Sequence, residues 1–343
     1  MFTKLYLLVS SGLLLLGFPA LIACIRGQDV LPGKPWRLMW YNTENFFHPA
    51  DDPFQGDDDF TPAGARGWTT GRYRDKCTKV AKVILAAGSW GPPDAAGLCE
   101  IENERVLKDL VSHPILEPWD LKYVHHESPD HRGMDVAFLY REEAFRLYGW
   151  KCYPSPETGD SISTREILHI WGSIHGSRDT SDIFLLHFIS RYRGSAASAG
   201  FRIAQSGQLA ALLDSVAGAR DKPLIIVAGD FNEEAAGFTL APLHQAMPGG
   251  DSLKFVDTGP RKSYKYHGRW EAIDGFMVIS GNERIKYSGS VLWHPSLMER
   301  DEPYGGLRPF RTYRGYKYTG GFSDHLPLIL DLSHPLFSGA AER

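Results

Sequence analysis

Short apolar runs recur along the chain at Trp36–Tyr41, Ala95–Cys99, Val136–Tyr140, Ile183–Leu186, Leu224–Ala228, Phe276–Ile279 and Leu326–Leu330. Runs of this length are too short for helices and read as buried strands. Two segments change period. Arg72–Ala87 places Val80, Val83, Ile84 and Ala87 on one face, and Phe201–Ala219 does the same with Leu209, Leu212, Leu213 and Val216, so both predict amphipathic helices. A third, shorter helix is expected over Asn103–Val111. Helices fall at irregular intervals and several strands follow one another directly, which predicts a layered α/β fold with mixed sheets instead of a regular βαβ wind. The Asp-, Gly- and Pro-rich segment His48–Gly71 reads as a long surface loop. Its Asp57-Asp58-Asp59 run lacks the ligand spacing of a calcium loop and is expected to be a solvated acidic turn.

Length and composition narrow this picture. A chain of 343 residues is long enough for two domains or one large one. No internal repeat and no Gly/Ser linker interrupts the sequence beyond Pro35, which favours a single domain over 35–335. Hydrophobic residues at 43% and charged residues at 23% exclude a disordered or collagen-like chain. Lys+Arg 37 against Asp+Glu 41 gives a net charge of −4, so no global basic field exists for non-specific duplex binding. Cys24, Cys77, Cys99 and Cys152 are too few for a disulfide framework, and Cys99 lies in an apolar run where a buried thiol is expected.

The N-terminus carries its own signal. Leu5–Ile25 contains no charge, follows Lys4 and ends before Arg26, the pattern of an export signal over residues 1–26. Leu21-Ile22-Ala23-Cys24 has the order of a bacterial lipobox, in which the cysteine is lipidated after cleavage. Three readings stay open: a lipoprotein signal, an ordinary cleaved signal, and a retained anchor, since ~20 apolar residues suffice to span a bilayer. Each places the remainder outside the cytoplasm, in the cell envelope, the periplasm or the medium.

Polar residues flank the strands in a repeated way. Four apolar runs end in a ligand-type side chain, namely Asn42, Glu100, His187 and Asp230. Two others begin with one, Asp274 and the Asp324-His325 pair. If the latter strands run antiparallel to the former, all of these groups collect along one sheet edge, where strand ends commonly build a site. Singly, each has a structural reading as a turn cap or a strand-end histidine. Jointly, that reading weakens.

The strings WYNTENFF, GLCEIEN, LLHFISR, VAGDFNEE, AIDGFMV and GFSDHLPL, in this order and at roughly this spacing, resemble the endonuclease/exonuclease/phosphatase superfamily of deoxyribonuclease-I-like, metal-dependent phosphoesterases. The likeness runs from about Arg37 to Leu332, and its look is that of exported bacterial members. It implies a four-layer αββα sandwich of two packed mixed β-sheets. It also implies a Mg²⁺ site at Asn42 and Glu100 with Asp324 close by, Mn²⁺ being able to stand in. Asp230 and Asn232 are then expected to position and activate the attacking water, His187 and His325 to lie on the phosphate, and Asp274 to orient His325. The chemistry suits these residue types: a hard cation prefers carboxylate and amide oxygens, and imidazoles with a carboxylate partner stabilise charge and move protons. A catalytically dead binding module on the same scaffold should lack at least one of these residues, and none is missing.

Other positions keep two readings. Arg165, in STREILHI, resembles the family's phosphate-directed arginine or is a strand-edge surface residue; Arg191 is similarly divided. Asp135 is a carboxylate partner for His187 or a strand-end cap. Glu102 occupies the place where deoxyribonuclease-I-like enzymes carry a DNA-contacting arginine, which argues against a minor-groove reader. The stretch Arg300–Tyr318 interleaves Arg300, Arg308, Arg311, Arg314 and Lys317 with Tyr304, Phe310, Tyr313, Tyr316 and Tyr318, and Arg261–Trp270 is a second such stretch. Basic groups with aromatic faces suit single-stranded nucleic acid, or the aromatics simply pack on the sandwich. The expected substrate is a phosphodiester or phosphomonoester, foremost of nucleic acids or nucleotides, with phospholipid or sphingolipid diesters and sugar phosphates as alternatives. A membrane contact is expected only through the N-terminus, and no protein partner is implied.

Overall fold

A computed structural model describes residues 34–89, 91–156, 165–191, 195–245, 253–334 and 337. The N-terminal signal, including Cys24, lies outside the described residues. Among the described residues no helix is long and apolar enough to cross a membrane.

In chain order the first half contains β1 (Trp36–Phe46), α1 (Thr70–Ala87), β2 (Ala95–Ile101), α2 (Glu104–Val111), β3 (Lys122–His125), β4 (Asp135–Tyr140), β5 (Phe145–Tyr153), β6 (Ile167–Ile174) and β7 (Ser181–His187). Then follow α3 (Ser195–Gly218), β8 (Leu224–Asp230), α4 (Ala241–Gln245), β9 (Lys254–Phe255), β10 (Tyr264–Tyr266), β11 (Arg269–Glu271), β12 (Asp274–Ser280) and β13 (Lys286–Val291). The chain closes with β14 (Met298–Arg300), β15 (Leu307–Pro309), β16 (Tyr313–Arg314), β17 (Lys317–Tyr318) and β18 (Leu328–Ser333).

Two six-stranded mixed sheets dominate, in the orders β13-β18-β1-β2-β4-β3 and β5-β6-β7-β8-β12-β9. Alternation along the central strands shows why they stack. Ile183, Leu185, Ile226, Ala228, Phe276 and Val278 join the large core between the sheets, while Phe184, Leu186, Ile225, Val227, Met277 and Ile279 face a second core under α3. Side chains on a strand point alternately to opposite faces, so these strands need apolar residues at every position. That explains their continuous apolar runs. Helix α1 covers the first sheet with Cys77, Val80, Ala81 and Ile84, and α3 covers the second with Leu209 and Leu213, which completes the αββα sandwich. The sheets approach closely at Gly97, where an added Cβ would stand 2.8 Å from Leu185 Cδ2 and 2.8 Å from Trp40 Cε3.

Helix starts follow local capping. Thr69 accepts from Arg72 N, and Asn103 accepts from Val106 N at 3.1 Å, so Asn103 is the cap of α2 and not its first residue. Helix α3 begins earlier than expected, in a Ser/Ala/Gly stretch that carries no apolar period. Strands β3, β5, β6, β9 and β13 of the large sheets, and the short hairpin strands β10, β11 and β14 to β17, escaped the sequence reading. Both β5 and β13 are edge strands with exposed, mixed-polarity positions, which leave no continuous run to detect. The His48–Gly71 segment is irregular apart from a short 3-10 turn at Asp58–Phe60 and its last two residues, which open α1. Asp57 corrects the solvated-turn expectation: it is fully buried and its Oδ2 accepts from Asp52 N at 3.1 Å.

Candidate functional site

Register assembles the second sheet's share of the site. Strands β7 and β8 run parallel with His187 beside Asp230, and β12 runs antiparallel to β8 with Asp274 beside Asp230. His187, Asp230 and Asp274 therefore form one row across three hydrogen-bonded strands at a single sheet edge. Just past it, Asn232 adopts a left-handed backbone with φ 50°, donates its N–H to Asp230 Oδ1 at 2.9 Å and its side-chain amide to Phe188 O at 3.0 Å.

The first sheet supplies its share through irregular backbone. Parallel β1 and β2 place Asn42 opposite Cys99, and a register shift follows before Phe46 pairs with Ile101. Within this bulge Glu44, Asn45 and Glu100 all have φ between 50° and 60°, a conformation costly for a side chain such as Glu. Local hydrogen bonds hold it. Glu100 Oε2 accepts from Asn45 N at 2.7 Å, Glu100 Oε1 from Asn42 Nδ2 at 3.2 Å, and Thr43 Oγ1 donates to Cys99 O at 2.8 Å. Asn42 Nδ2 also reaches Asp230 Oδ2 at 3.2 Å and thereby ties the two sheets together at the site.

Asp324 and His325 arrive from the loop before β18. His325 Nδ1 meets Asp274 Oδ2 at 2.7 Å, and the same carboxylate accepts from Ser263 Oγ at 2.6 Å and from Trp40 Nε1 at 3.1 Å. With all these partners Asp274 is fixed, and so is the imidazole. His325 Nε2 lies 3.9 Å from Asp230 Oδ2, while His187 Nε2 lies 3.7 Å from Asp230 and 4.0 Å from Glu100. Asp324 Oδ2 accepts from Arg311 Nη2 at 2.5 Å.

Charge states separate along this cluster. Burial opposes the charged form of His325, but Asp274, Asp324 and Asp230 outweigh it and push the imidazole up to about 10. Burial drives His187 well below its ordinary value, with Arg165 and His325 adding to the shift. Burial and then Asp274 push Asp230 up to about 7. Burial and Asp324 likewise raise Glu100. Burial also acts against Asp324, yet the Arg311 guanidinium keeps it below the usual carboxylate range. At neutral pH the site thus pairs a cationic imidazole with a neutral one, around a carboxyl poised to exchange a proton.

These groups open into a cavity of about 630 Å³ that Arg132, Arg165, Arg191, Tyr264 and Tyr266 also line. Arg165 is buried and hydrogen-bonds Phe188 O at 3.2 Å, so it is a cavity residue and not a strand-edge surface arginine. Arg191 also reaches the cavity, where Glu271 pairs with it. Glu100, Asp230, Asp274 and Asp324 gather four carboxyl groups, against which His325, Arg165 and Arg311 supply the nearby positive charge. Asn42 stands beside them with its Nδ2 on Glu100 Oε1 and Asp230 Oδ2 and its Oδ1 accepting from Glu44 N at 3.0 Å, so the oxygen donors of the site are the carboxylates. Such a set fits a divalent cation of the Mg²⁺ or Mn²⁺ kind.

Two open sequence readings resolve here, and the Glu102 reading stands. Asp135 does not partner His187: its Oδ2 binds His125 Nε2 at 3.1 Å and its Oδ1 accepts from Ser128 N at 2.9 Å, because it faces the adjacent strand β3. Glu102 points inward, accepts from His48 N at 2.5 Å, and is pushed up to about 8 by burial, so its position offers no side chain to a substrate groove. The basic residues of Arg300–Tyr318 mostly face acids, Arg308 with Glu299 and Asp301, Arg311 with Asp324, and Arg314 with Glu299. Tyr313 and Tyr318 pack on Trp68, while Tyr304 and Tyr316 stay exposed.

Sequence reasoning missed the buried frame behind the site. Glu44 accepts from Thr312 N at 2.6 Å and Tyr313 N at 3.3 Å. Lys76 of α1 donates to Thr312 Oγ1 at 2.7 Å and to Phe322 O at 2.6 Å. Together they pin the segment that delivers Arg311, Asp324 and His325. The one available signal was a lysine on the apolar face of α1.

The family model described as Endonuclease/Exonuclease/phosphatase family matches residues 37–334. No curated protein matches the sequence. Among solved structures, an endonuclease/exonuclease/phosphatase family protein from Bacteroides thetaiotaomicron aligns with a TM-score of 0.55 at 16% identity, covering 88% of this chain and 98% of that one. The human Nocturnin catalytic domain with bound sulfate aligns at 0.54 and 15%, covering 87% and 94%. A mannosyl-6-phosphatase of Bacteroides thetaiotaomicron aligns at 0.54 and 16%, covering 87% and 99%. At these identities the likeness carries the fold alone.

Proposed function

The chain belongs to the endonuclease/exonuclease/phosphatase family, whose members are hydrolases and mostly phosphoesterases, and from that premise we propose that it is an exported, divalent-metal-dependent phosphodiesterase acting on nucleic-acid or nucleotide substrates. The observation that carries the reaction type is the His187–Asp230–Asp274 row with His325 locked on Asp274, His187, Asp230 and His325 all lining one cavity.

In this reading the substrate phosphate lies between His187, His325 and Arg165. Asp230, with Oδ1 engaged by Asn232 N, takes a proton from the attacking water through its other oxygen. The phosphorus–oxygen bond to the leaving group then breaks on the far side, and negative charge builds on the phosphoryl oxygens. His325, held cationic by Asp274, faces that charge, and Arg165 adds a second fixed cation. Neutral His187 contributes a hydrogen-bond donor without repelling His325. Asn42, Glu100 and Asp324 would hold a divalent cation, which when bound would supply Lewis-acid stabilisation of negative charge at the phosphate.

The substrate class rests on the cavity's aromatic wall. Tyr264 packs on the His325 ring with centroids 4.7 Å apart, and Tyr266 stacks with Tyr264 at 6.4 Å and 11°. His267 and Tyr304 continue the series outward. Flat rings beside a phosphate site suit a nucleobase or a flexible single strand, without sequence reading. Turnover of the purified protein on single-stranded DNA, RNA, sphingomyelin and inositol phosphates tests this. The expected result is highest kcat/KM on a nucleic acid, reduced about tenfold or more by Tyr266→Ala. A preference for the lipid or a phosphomonoester overturns the substrate class and leaves the reaction type standing.

A further inference from the structure

A second group of ligand-type side chains lies away from the catalytic cavity, where the free edges of the two sheets meet. His126 directly follows β3, the edge strand of the first sheet, and Cys152 lies on β5, the edge strand of the second. Glu166 immediately precedes β6, one residue from the cavity arginine Arg165. One ligand atom from each of His126, Cys152 and Glu166 can be chosen so that all three lie within 4.8 Å of one another.

Glu166 links the other two: after burial, its charge and a side-chain hydrogen bond to it hold the Cys152 thiol above its ordinary value. His126 Nδ1 approaches Glu166 Oε2 to 2.7 Å, yet that oxygen is buried and has no hydrogen-bond partner of acceptable alignment. The two are in direct contact, closer than neighbouring ligands of one tetrahedral metal, so a bound cation would part them. Cys152 is also the partly exposed thiol among the described cysteines, Cys77 and Cys99 being buried. The Trp150 ring packs on His126 at 6.1 Å and restricts its orientation.

From this geometry we infer that His126, Cys152 and Glu166 form a binding site for a zinc-class divalent cation, separate from the hard-cation site of the catalytic cavity. One thiolate, one imidazole and one carboxylate are the mixed soft and borderline donors that Zn²⁺ prefers, with a fourth position left to water. Binding replaces the thiol proton with a sulfur–metal bond and releases that proton to solvent. The cation joins β3 to β5 and β6, and so links the two sheets at an edge that no shared strand connects. Its predicted effect is on stability more than on turnover.

The test uses the purified protein after chelation, with Mg²⁺ at saturation to fill the hard site, and Co²⁺ as the probe. One equivalent of Co²⁺ should produce a thiolate-to-cobalt charge-transfer absorption that one equivalent of Zn²⁺ abolishes. Cys152→Ser should remove the band, His126→Ala should weaken Co²⁺ binding about tenfold or more, and Glu100→Gln should leave the band intact. Zn²⁺ should also slow alkylation of Cys152 about tenfold in the parent chain but not in His126→Ala, a readout that does not depend on how well the serine variant folds. Absence of a thiolate band, a band that persists in Cys152→Ser, or undiminished affinity in His126→Ala each overturns the site.

Discussion

The two sheets build their halves of the catalytic cavity by different means. The second sheet delivers His187, Asp230 and Asp274 by register alone, as neighbouring residues at the ends of regular strands. The first delivers Asn42 and Glu100 from a bulge whose residues take up left-handed backbone conformations. Regular pairing fixes a row of side chains at little conformational cost and tolerates little displacement. A bulge re-aims a carboxylate, and its strain must be balanced by the hydrogen bonds from Asn42 and Asn45. In the proposed reading the rigid half carries the proton and charge work, while the strained half carries the cation.

Substitutions should separate these halves by the kind of defect they cause. Asp230→Asn is expected to lower kcat by ~10³-fold, and His187→Ala or His325→Ala by ~10²-fold or more, whatever the metal concentration, the usual scale for losing a positioned acid–base or charge-stabilising group. Thermal unfolding should shift little. Wild-type turnover in His187→Ala would make that histidine structural. In contrast, Glu100→Gln should raise the metal concentration needed for half-maximal rate by ~10- to 100-fold, the scale on which altered coordination weakens metal sites. A metal response identical to the parent's would remove Glu100 from the cation site.

The pH profile sharpens the same division. Asp230, raised to about 7, must lose its proton to act as base, so kcat/KM should climb about tenfold per unit below that pH and level off above it. His325, raised to about 10, must keep its proton, so the rate should fall again on the alkaline side. Asp274→Asn removes a carboxylate that raises both His325 and Asp230, so both limbs should move to lower pH, the alkaline limb further because His325 also loses its hydrogen bond. An unmoved alkaline limb would assign it to another group.

The last effect is expected outside the cavity, at Glu102, and bears on stability, not on turnover. Burial raises its folded pKa to about 8, above the ~4.3 of an unfolded glutamate, so the native chain binds this proton more tightly than the unfolded one. Stability should therefore decline as pH rises between those values. Glu102→Gln, which keeps the shape without the proton, should remove that decline, read as a difference in Tm that shrinks or reverses from pH 5 to pH 8. A constant difference would show Glu102 ionised throughout.

What the sequence disclosed follows the same contrast between regular and irregular backbone. Asp230 and Asp274 were visible because apolar runs stop or start at them, and strand direction alone then brings them together. The layered fold was visible for a related reason, since strands buried on both faces have no polar positions to break the run. Glu44 was hidden because its contact to Thr312 N joins segments 268 residues apart, and the Arg311 contact to Asp324 was hidden because it runs through an irregular loop. Asp135 misled because a strand-end aspartate has two neighbours, and spacing does not say whether His125 or His187 receives it. The edge strand β5 was missed although it carries Cys152, since an exposed edge has the composition of a loop.

The central claim is that both halves act together on a phosphoester with a divalent cation between them. Hydrolysis of bis(p-nitrophenyl) phosphate by the purified protein, measured in EDTA and again after Mg²⁺ or Mn²⁺ is restored, tests it most directly. The account predicts that chelation abolishes turnover and that either cation returns it in the parent chain but not in Asp230→Asn. Turnover unaffected by chelation, or fully restored in Asp230→Asn, would contradict it.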